Sequence, residues 1–315
     1  MTRTAASALP PELAAFSETL AGEEVTRTAA ETWHWLRAHA PAALAERRTA
    51  ALLAVASVYA TLCAPPAASA RDFDVVARFT LLFFLVDDAE LEELPDLLAP
   101  GAAWSIGRHT EALRVWLDEF REQESASQPL RMRFAAAYHD YLAARRAEGE
   151  HKSRPLDLAE HWAFRRRSIF MDPYLDLWMI LCGIELAELA EQSFAPARAL
   201  AVDLVLLAND LGSVERDAQG GASPDDLNLI HSYAREHALN QDEALERLVG
   251  EHNRMVERFR EALAAALLAR PGPHAERYAG LLSGVVDGNI ASVLALGFRY
   301  PGSESVMQRL LRVRG

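Results

Sequence analysis

One stretch constrains this chain more than any other: Phe83-Phe84-Leu85-Val86-Asp87-Asp88-Ala89-Glu90-Leu91-Glu92-Glu93. An apolar run suited to burial ends abruptly in adjacent carboxylates, with more acids within the next turn and a half. Carboxylates held together at an apolar mouth repel one another unless a cation joins them. Their oxygens suit a hard ion such as Mg²⁺, which keeps several waters and takes phosphate oxygens as further ligands. Taken alone, the stretch reads equally as a helix C-terminus entering a solvated acidic loop, because acid pairs are frequent in a chain of net charge −13.

A second stretch weakens that plainer reading. It runs Leu206-Leu207-Ala208-Asn209-Asp210-Leu211-Gly212-Ser213-Val214-Glu215-Arg216-Asp217. On a helix, Asn209, Ser213 and Asp217 fall at i, i+4 and i+8 and share one face. They offer an amide oxygen, a hydroxyl and a carboxylate, hard donors that can together hold one Mg²⁺. Asn and Ser are indifferent helix-interior residues, so a polar stripe here calls for a reason. A solvated helix face is the alternative.

The pair Asp87-Asp88 with Glu92, and the stripe Asn209/Ser213/Asp217, resemble the two metal-binding motifs of bacterial class I terpene synthases. The resemblance spans roughly residues 60 to 300. It includes Pro65-Pro66 ahead of the first motif helix, the run Arg165-Arg166-Arg167-Ser168, Arg216 inside the second motif, Asn228-Leu229-Ile230 after it, and Arg299-Tyr300 near the end. The order of these pieces is specific, whereas no single piece is. The resemblance implies an all-α bundle around a central apolar cavity, with the two motifs facing each other and holding three Mg²⁺ on an isoprenoid diphosphate. It implies metal ligands at Asp87, Asp88, Glu92, Asn209, Ser213 and Asp217. It also implies diphosphate contacts from Arg165 or Arg166, from Arg216, and from Arg299 and Tyr300. Asp217 stands where the family usually has Glu, and its shorter side chain reaches a metal only if the helix shifts slightly. The tryptophan that often precedes the Arg-Tyr pair is absent, with Asn289-Ile290-Ala291-Ser292 in its region.

Half of the 315 residues are hydrophobic, and the abundance of Ala, Leu, Glu and Arg is a helix-former's composition. One helical core can hold a chain of this length, so a single domain over 1–315 is expected, with a flexible N-terminus at 1–10. The net charge argues against nucleic acid, whose backbone demands basic patches, and fits poorly with an anionic membrane surface. Cys63 and Cys182 sit in apolar helical contexts and read as small core residues of a reducing compartment. There is no uninterrupted apolar run of about 18 residues, and residues 1–10 lack a basic n-region followed by an apolar h-region. A soluble, cytoplasmic protein without stable membrane insertion is the expectation; a homodimer stays open.

Along the chain, helices are expected at 24–39, 42–62, 70–87, 102–122, 129–148, 156–170 and 174–188. A long helix bearing Asn209 should follow Pro196, and further helices 225–237, 241–269 and 274–298. The segment 149–155 is polar and reads as a loop. Phe79, Phe83 and Asp87 lie on one stripe, which sets two aromatic rings beneath the first motif, and ring faces can stabilise a passing carbocation. Ordinary aromatic core is the alternative for either ring. Trp162 is a further candidate for the pocket wall. Of three consecutive arginines at most two can face one cavity, since successive helical residues point about 100° apart. Arg165 is preferred over Arg166, although spacing does not separate them. A guanidinium suits bidentate contact with phosphate oxygens. After this run the family commonly has small residues that break the helix, whereas here Ile169-Phe170-Met171-Asp172-Pro173 follows and Pro173 is the expected breaker.

These features point to an enzyme that ionises an acyclic prenyl diphosphate, farnesyl first and geranylgeranyl second, and cyclises the cation. Small residues at Thr80 and Ala291-Ser292 leave room for the longer chain. Two alternatives remain. One is a chain-elongating prenyltransferase, which usually carries two aspartate-rich motifs; the other is a helical binding protein whose acids are merely solvated.

Overall fold

The computed structural model describes residues 9–41, 44, 47–87, 115–116, 120, 128–152, 156–185, 191–219 and 228–314. Within these, the side chains at 47, 86–87, 146, 149–152, 191 and 217–219 lie outside the description. The described residues are helical, with no strand among them. The chain divides into two compact units, Met1–Ser125 and Ala126–Gly315.

In the first unit a 3₁₀ turn, Pro11–Phe16, leads into α1 (Glu23–His39), α2 (Arg47–Leu62) and α3 (Ala70–Asp87). The face of α1 that carries Ala29, Ala30, Trp33 and Leu36 is buried, as expected when apolar residues recur at helical spacing. Arg27 ties α1 to the start of α3: its Nη1 lies 2.9 Å from Asp74 Oδ1 and its Nη2 donates to the Ala70 carbonyl. Ser69 and Asp72 begin α3 as a reciprocal cap after the Pro65-Pro66 break. On α3, Phe79 stacks on Trp116 with ring centroids 4.6 Å apart, and Trp116 stacks in turn on Phe120. The Trp116 indole N–H donates to the Val75 carbonyl.

The second unit contains α4 (Gln128–Lys152), α5 (Leu158–Ser168), α6 (Met171–Leu181), α7 (Glu191–Gln219), α8 (Leu229–Glu236), α9 (Gln241–Ala269), α10 (Pro273–Ala295) and a single turn, α11 (Glu304–Met307). Its spine is α7, which packs against α9 and α10 and is also touched by α5, α6, α8 and α11. Capping boxes at Asp157/Glu160 and Asn240/Glu243 start α5 and α9. By length and composition α10 could cross a membrane, but 72% of its apolar window is buried inside the fold, which makes it a core helix.

Several boundaries differ from those expected. Residues 149–152 continue α4 instead of forming a loop, because one Gly among good helix formers costs only about 1 kcal/mol. Pro196 lies inside α7, in its second turn, where its missing N–H frees a single carbonyl near the helix end. The break after the arginine run falls at Phe170, not Pro173. Phe170 takes a left-handed φ of 66° and its ring packs edge-on to Tyr141 at 4.8 Å. Pro173 follows in the first turn of α6, where its missing N–H costs nothing. Helix α8 begins only at Leu229, capped by the Asn228 side chain, and α10 ends at Ala295.

A buried charge cluster fastens α6 into the second unit. Asp176, fully buried, accepts from Arg133 Nη2 at 2.6 Å and from Arg198 Nη2 at 2.9 Å. Arg198 also reaches Asp172 and the Tyr278 hydroxyl. Burial pulls the Arg198 pKa down, but Tyr278, Asp176 and Asp172 outweigh that and hold it well above its ordinary value. Removing one partner of such a buried group leaves an uncompensated charge.

Candidate active site

The second motif lies in the C-terminal half of α7, a helix buried along most of its length because α9 and α10 pack against it. Close approach is possible at Gly212: a Cβ there would lie 2.8 Å from Val293 Cγ1 on α10 and 3.6 Å from Met307 Cε. Asn209 and Ser213 stand on successive turns of one face, as their spacing requires. The Asn209 amide donates from Nδ2 to the Tyr300 hydroxyl at 3.3 Å, which leaves its Oδ1 as an acceptor. Ser213, nearly fully buried, accepts from Asn228 Nδ2 at 3.3 Å. An amide oxygen and a hydroxyl on adjacent turns are the donor chemistry of a hard divalent cation. Asp217 continues the same helix by its backbone, and its side chain lies outside the described residues.

Arginines gather around the same point. The Arg216 guanidinium lies over the Tyr300 ring at 5.5 Å and that of Arg299 at 5.9 Å. These cation–π contacts gather two positive charges on one ring. Tyr300 is buried, and its backbone is held by a bond from its N–H to Leu296 O and by the Ser303 hydroxyl on its carbonyl. The second motif and the Arg-Tyr pair, 91 residues apart at Asn209 and Tyr300, are thus brought together.

Arg165 and Arg166 part company. Arg165 forms a fork with Asp210, the neighbour of Asn209, through Nη2–Oδ1 at 2.6 Å and Nε–Oδ2 at 3.3 Å, and its Nη1 donates to Ser168. Asp210 also accepts from the Leu229 N–H, and its carbonyl accepts from Asn228 Nδ2. Arg166, half exposed, pairs instead with Asp203, two turns earlier on α7. Its hydrogen bond to that carboxylate raises its pKa. Trp162 donates its indole N–H to the same Asp203 oxygen, so its polar edge faces an ion pair.

Sequence reasoning missed Asp210 as the partner of Arg165, and Asn228 as a clamp on both Asp210 and Ser213. The signal was present in a second acid directly beside Asn209, but no spacing rule links it to an arginine 45 residues earlier.

Within the first unit, Phe79 is buried in the Trp116 stack and Phe83 packs on Phe84. Asp87 closes α3 by its backbone, while its side chain, Asp88 and Glu92 lie outside the described residues. Among the described residues, no group of three or more His, Cys, Asp or Glu comes together as a metal site.

Residues 78–258, more than half of the chain, match the family described as terpene synthase family 2, C-terminal metal binding. The chain belongs to this family. Curated proteins gave no match, but solved structures do. Linalool/nerolidol synthase from Streptomyces clavuligerus, in complex with 2-fluorogeranyl diphosphate, is 25% identical, with a TM-score of 0.69 over 84% of this chain and 96% of that one. 2-Methylisoborneol synthase from Streptomyces coelicolor A3(2), in complex with Mg²⁺ and 2-fluoroneryl diphosphate, is 21% identical, with a TM-score of 0.73 over 88% and 93%. Germacradien-4-ol synthase from Streptomyces citricolor is 22% identical, with a TM-score of 0.70 over 86% and 93%. The last two likenesses speak for the fold. This terpene synthase has the all-α class I fold, and it is an enzyme of that family.

Proposed function

We propose that this terpene synthase ionises an acyclic prenyl diphosphate with the help of Mg²⁺, three ions with the diphosphate bound, and cyclises the resulting cation. One observation carries the reading: Asn209 of the metal motif bonds Tyr300, and Arg216 and Arg299 lie over the same ring. Hard oxygen donors and anion-binding groups meet there. The neighbours' bound fluorinated diphosphates, and the Mg²⁺ in one of them, support the substrate class and the ion.

The ligands of the first motif are Asp87, Asp88 and Glu92, and those of the second are Asn209, Ser213 and Asp217. Lewis-acid stabilisation of the departing diphosphate is the chemistry Mg²⁺ would supply. Arg216, Arg299 and Tyr300 donate to diphosphate oxygens whose charge grows as the allylic C–O bond breaks with its electron pair leaving on oxygen. Arg165, on the helix beside the motif, takes the sensing contact assigned to one arginine of its run, and Arg166 serves Asp203. The allylic cation then closes within an apolar wall that excludes water, to which Phe79, Phe83 and Trp162 contribute. The whole chain, 1–315, acts as one catalytic domain, and both motifs are required.

Farnesyl diphosphate is the first substrate and geranylgeranyl diphosphate the second. The small residues Thr80 and Ala291-Ser292 favour length, while the aromatic rings oppose it. Steady-state assays with geranyl, farnesyl and geranylgeranyl diphosphates test this. The C15 and C20 substrates should differ in kcat/KM by at least about tenfold, or about 1.4 kcal/mol of differential transition-state binding. Equal values, or a preference for the C10 chain, would contradict the assignment.

A further inference from the structure

The contacts of this region continue beyond the Arg-Tyr pair. After Tyr300 the chain turns through Gly302, whose φ of +71° suits glycine and where a side chain would run into the Glu215 carboxylate. It then forms α11, which sets the buried Met307 against Gly212 of the motif helix. From Arg309 to Arg314 it lies as a strap along α9 and α10. Asn253 on α9 donates to Arg309 O at 3.1 Å and accepts from Leu311 N at 2.8 Å. Arg260 donates to the carbonyls of Arg312 and Val313. The strongest hold is Asp287 on α10: Oδ1 accepts from Val313 N at 2.6 Å and Oδ2 from Arg314 N at 3.0 Å. Arg312 Nη1 returns a bond to the Asp287 carbonyl, and Arg314 reaches Gly280 O. One carboxylate thus grips two consecutive backbone amides through charge-assisted bonds.

We propose that Asp287 is a positioning residue for the diphosphate site. By gripping the strap it fixes α11 and the turn 299–303, and so seats the Tyr300 hydroxyl on Asn209. Asp287 acts on the strap, through Arg312, Val313 and Arg314. The inference rests on the reading of Asn209 and Tyr300 as part of that site, and it adds a residue that no motif of the chain marks.

Calorimetric titration with Mg²⁺ and inorganic pyrophosphate tests it on the wild type, Asp287→Ala, Tyr300→Phe and the double variant. Each single change should weaken pyrophosphate binding by about fivefold or more, and the double variant should be no weaker than the worse single one, because coupled residues are non-additive. A residue that only stabilised the fold would lower Tm without that coupling. Glu246→Gln removes the exposed partner of Arg309 on the same strap and should leave binding within about twofold, as independent surface sites do. If Asp287→Ala does not fold, a chain ending at Arg312 removes both amide donors and takes its place in the cycle. Wild-type binding in Asp287→Ala, or fully multiplicative losses in the double variant, would overturn the proposal. A wild type that binds no pyrophosphate would instead remove the site reading, and this inference with it.

Discussion

Asp217 is where the second motif departs from its family, and the departure can be tested at one side chain. It is one methylene shorter than the usual Glu, so Asp217→Glu should keep or raise activity. Asp217→Ala should increase the Mg²⁺ concentration needed for half-maximal turnover by about tenfold, the loss expected for one ligand of a hard cation. If Glu215→Ala is the more damaging change, the ligand face of α7 has the wrong phase. Asp87→Ala, at the apolar end of α3, should abolish turnover in a folded protein. His252 offers a test of stability. It is fully buried on α9, and burial pulls its pKa from 6.5 down to about 4, with the nearby Arg312 charge adding to the effect. The folded chain therefore keeps this imidazole neutral, while the unfolded chain takes up a proton below about pH 6.5. Stability is full above that pH and is lost as pH falls from 6.5 towards 4, by on the order of 3 kcal/mol. Urea midpoints measured from pH 7 to 4.5 should fall, and His252→Gln should flatten the slope; an unchanged slope in the variant would assign the pH dependence to other groups.

At the scale of elements, α5 and α7 decide between two arginines that spacing left equal. Arg165 is largely buried and forked onto Asp210, whereas Arg166 is half exposed on Asp203. Arg165→Lys keeps the charge but loses the planar fork, and should lower kcat/KM by at least about tenfold. Arg166→Lys should stay within about twofold, because lysine keeps a positive charge opposite Asp203 from a half-exposed position. The reverse order of effects would exchange their roles. The contact of α7 with α10 is equally testable. Gly212→Ala would force Val293 aside and should cost about 1–3 kcal/mol of stability by overpacking. Val293→Ala in the same background should restore part of it, and chemical denaturation would show the recovery. Most helices here were legible from apolar periodicity and prolines. What was not legible were places where tertiary packing overrode a local signal. Gly149 and Pro196 are tolerated inside helices because the first costs only backbone entropy and the second one hydrogen bond near a helix start, each in an otherwise favourable run. The break at Phe170 depends on its ring finding Tyr141, which no local rule contains.

For the whole molecule, the second motif and the Arg-Tyr pair were legible because family-specific residue types recur in a specific order. Their supports were not: Asp210, Asn228, Asp176 and Asp287 act through partners tens of residues away. Asp176 did carry a mark, since an acid flanked by Leu175 and Leu177 in a buried helix demands a cation, but nothing in its neighbourhood names Arg133 or Arg198. The proposed function is a reaction. The most direct measurement is therefore incubation of the purified chain with farnesyl diphosphate, with Mg²⁺ and with the ion chelated, following inorganic diphosphate release and identifying the volatile products. Stoichiometric diphosphate and a cyclised C15 terpene are expected with Mg²⁺, and neither once the ion is chelated. A folded protein that yields no terpene from farnesyl, geranylgeranyl or geranyl diphosphate, or that yields the same product without the ion, would contradict it.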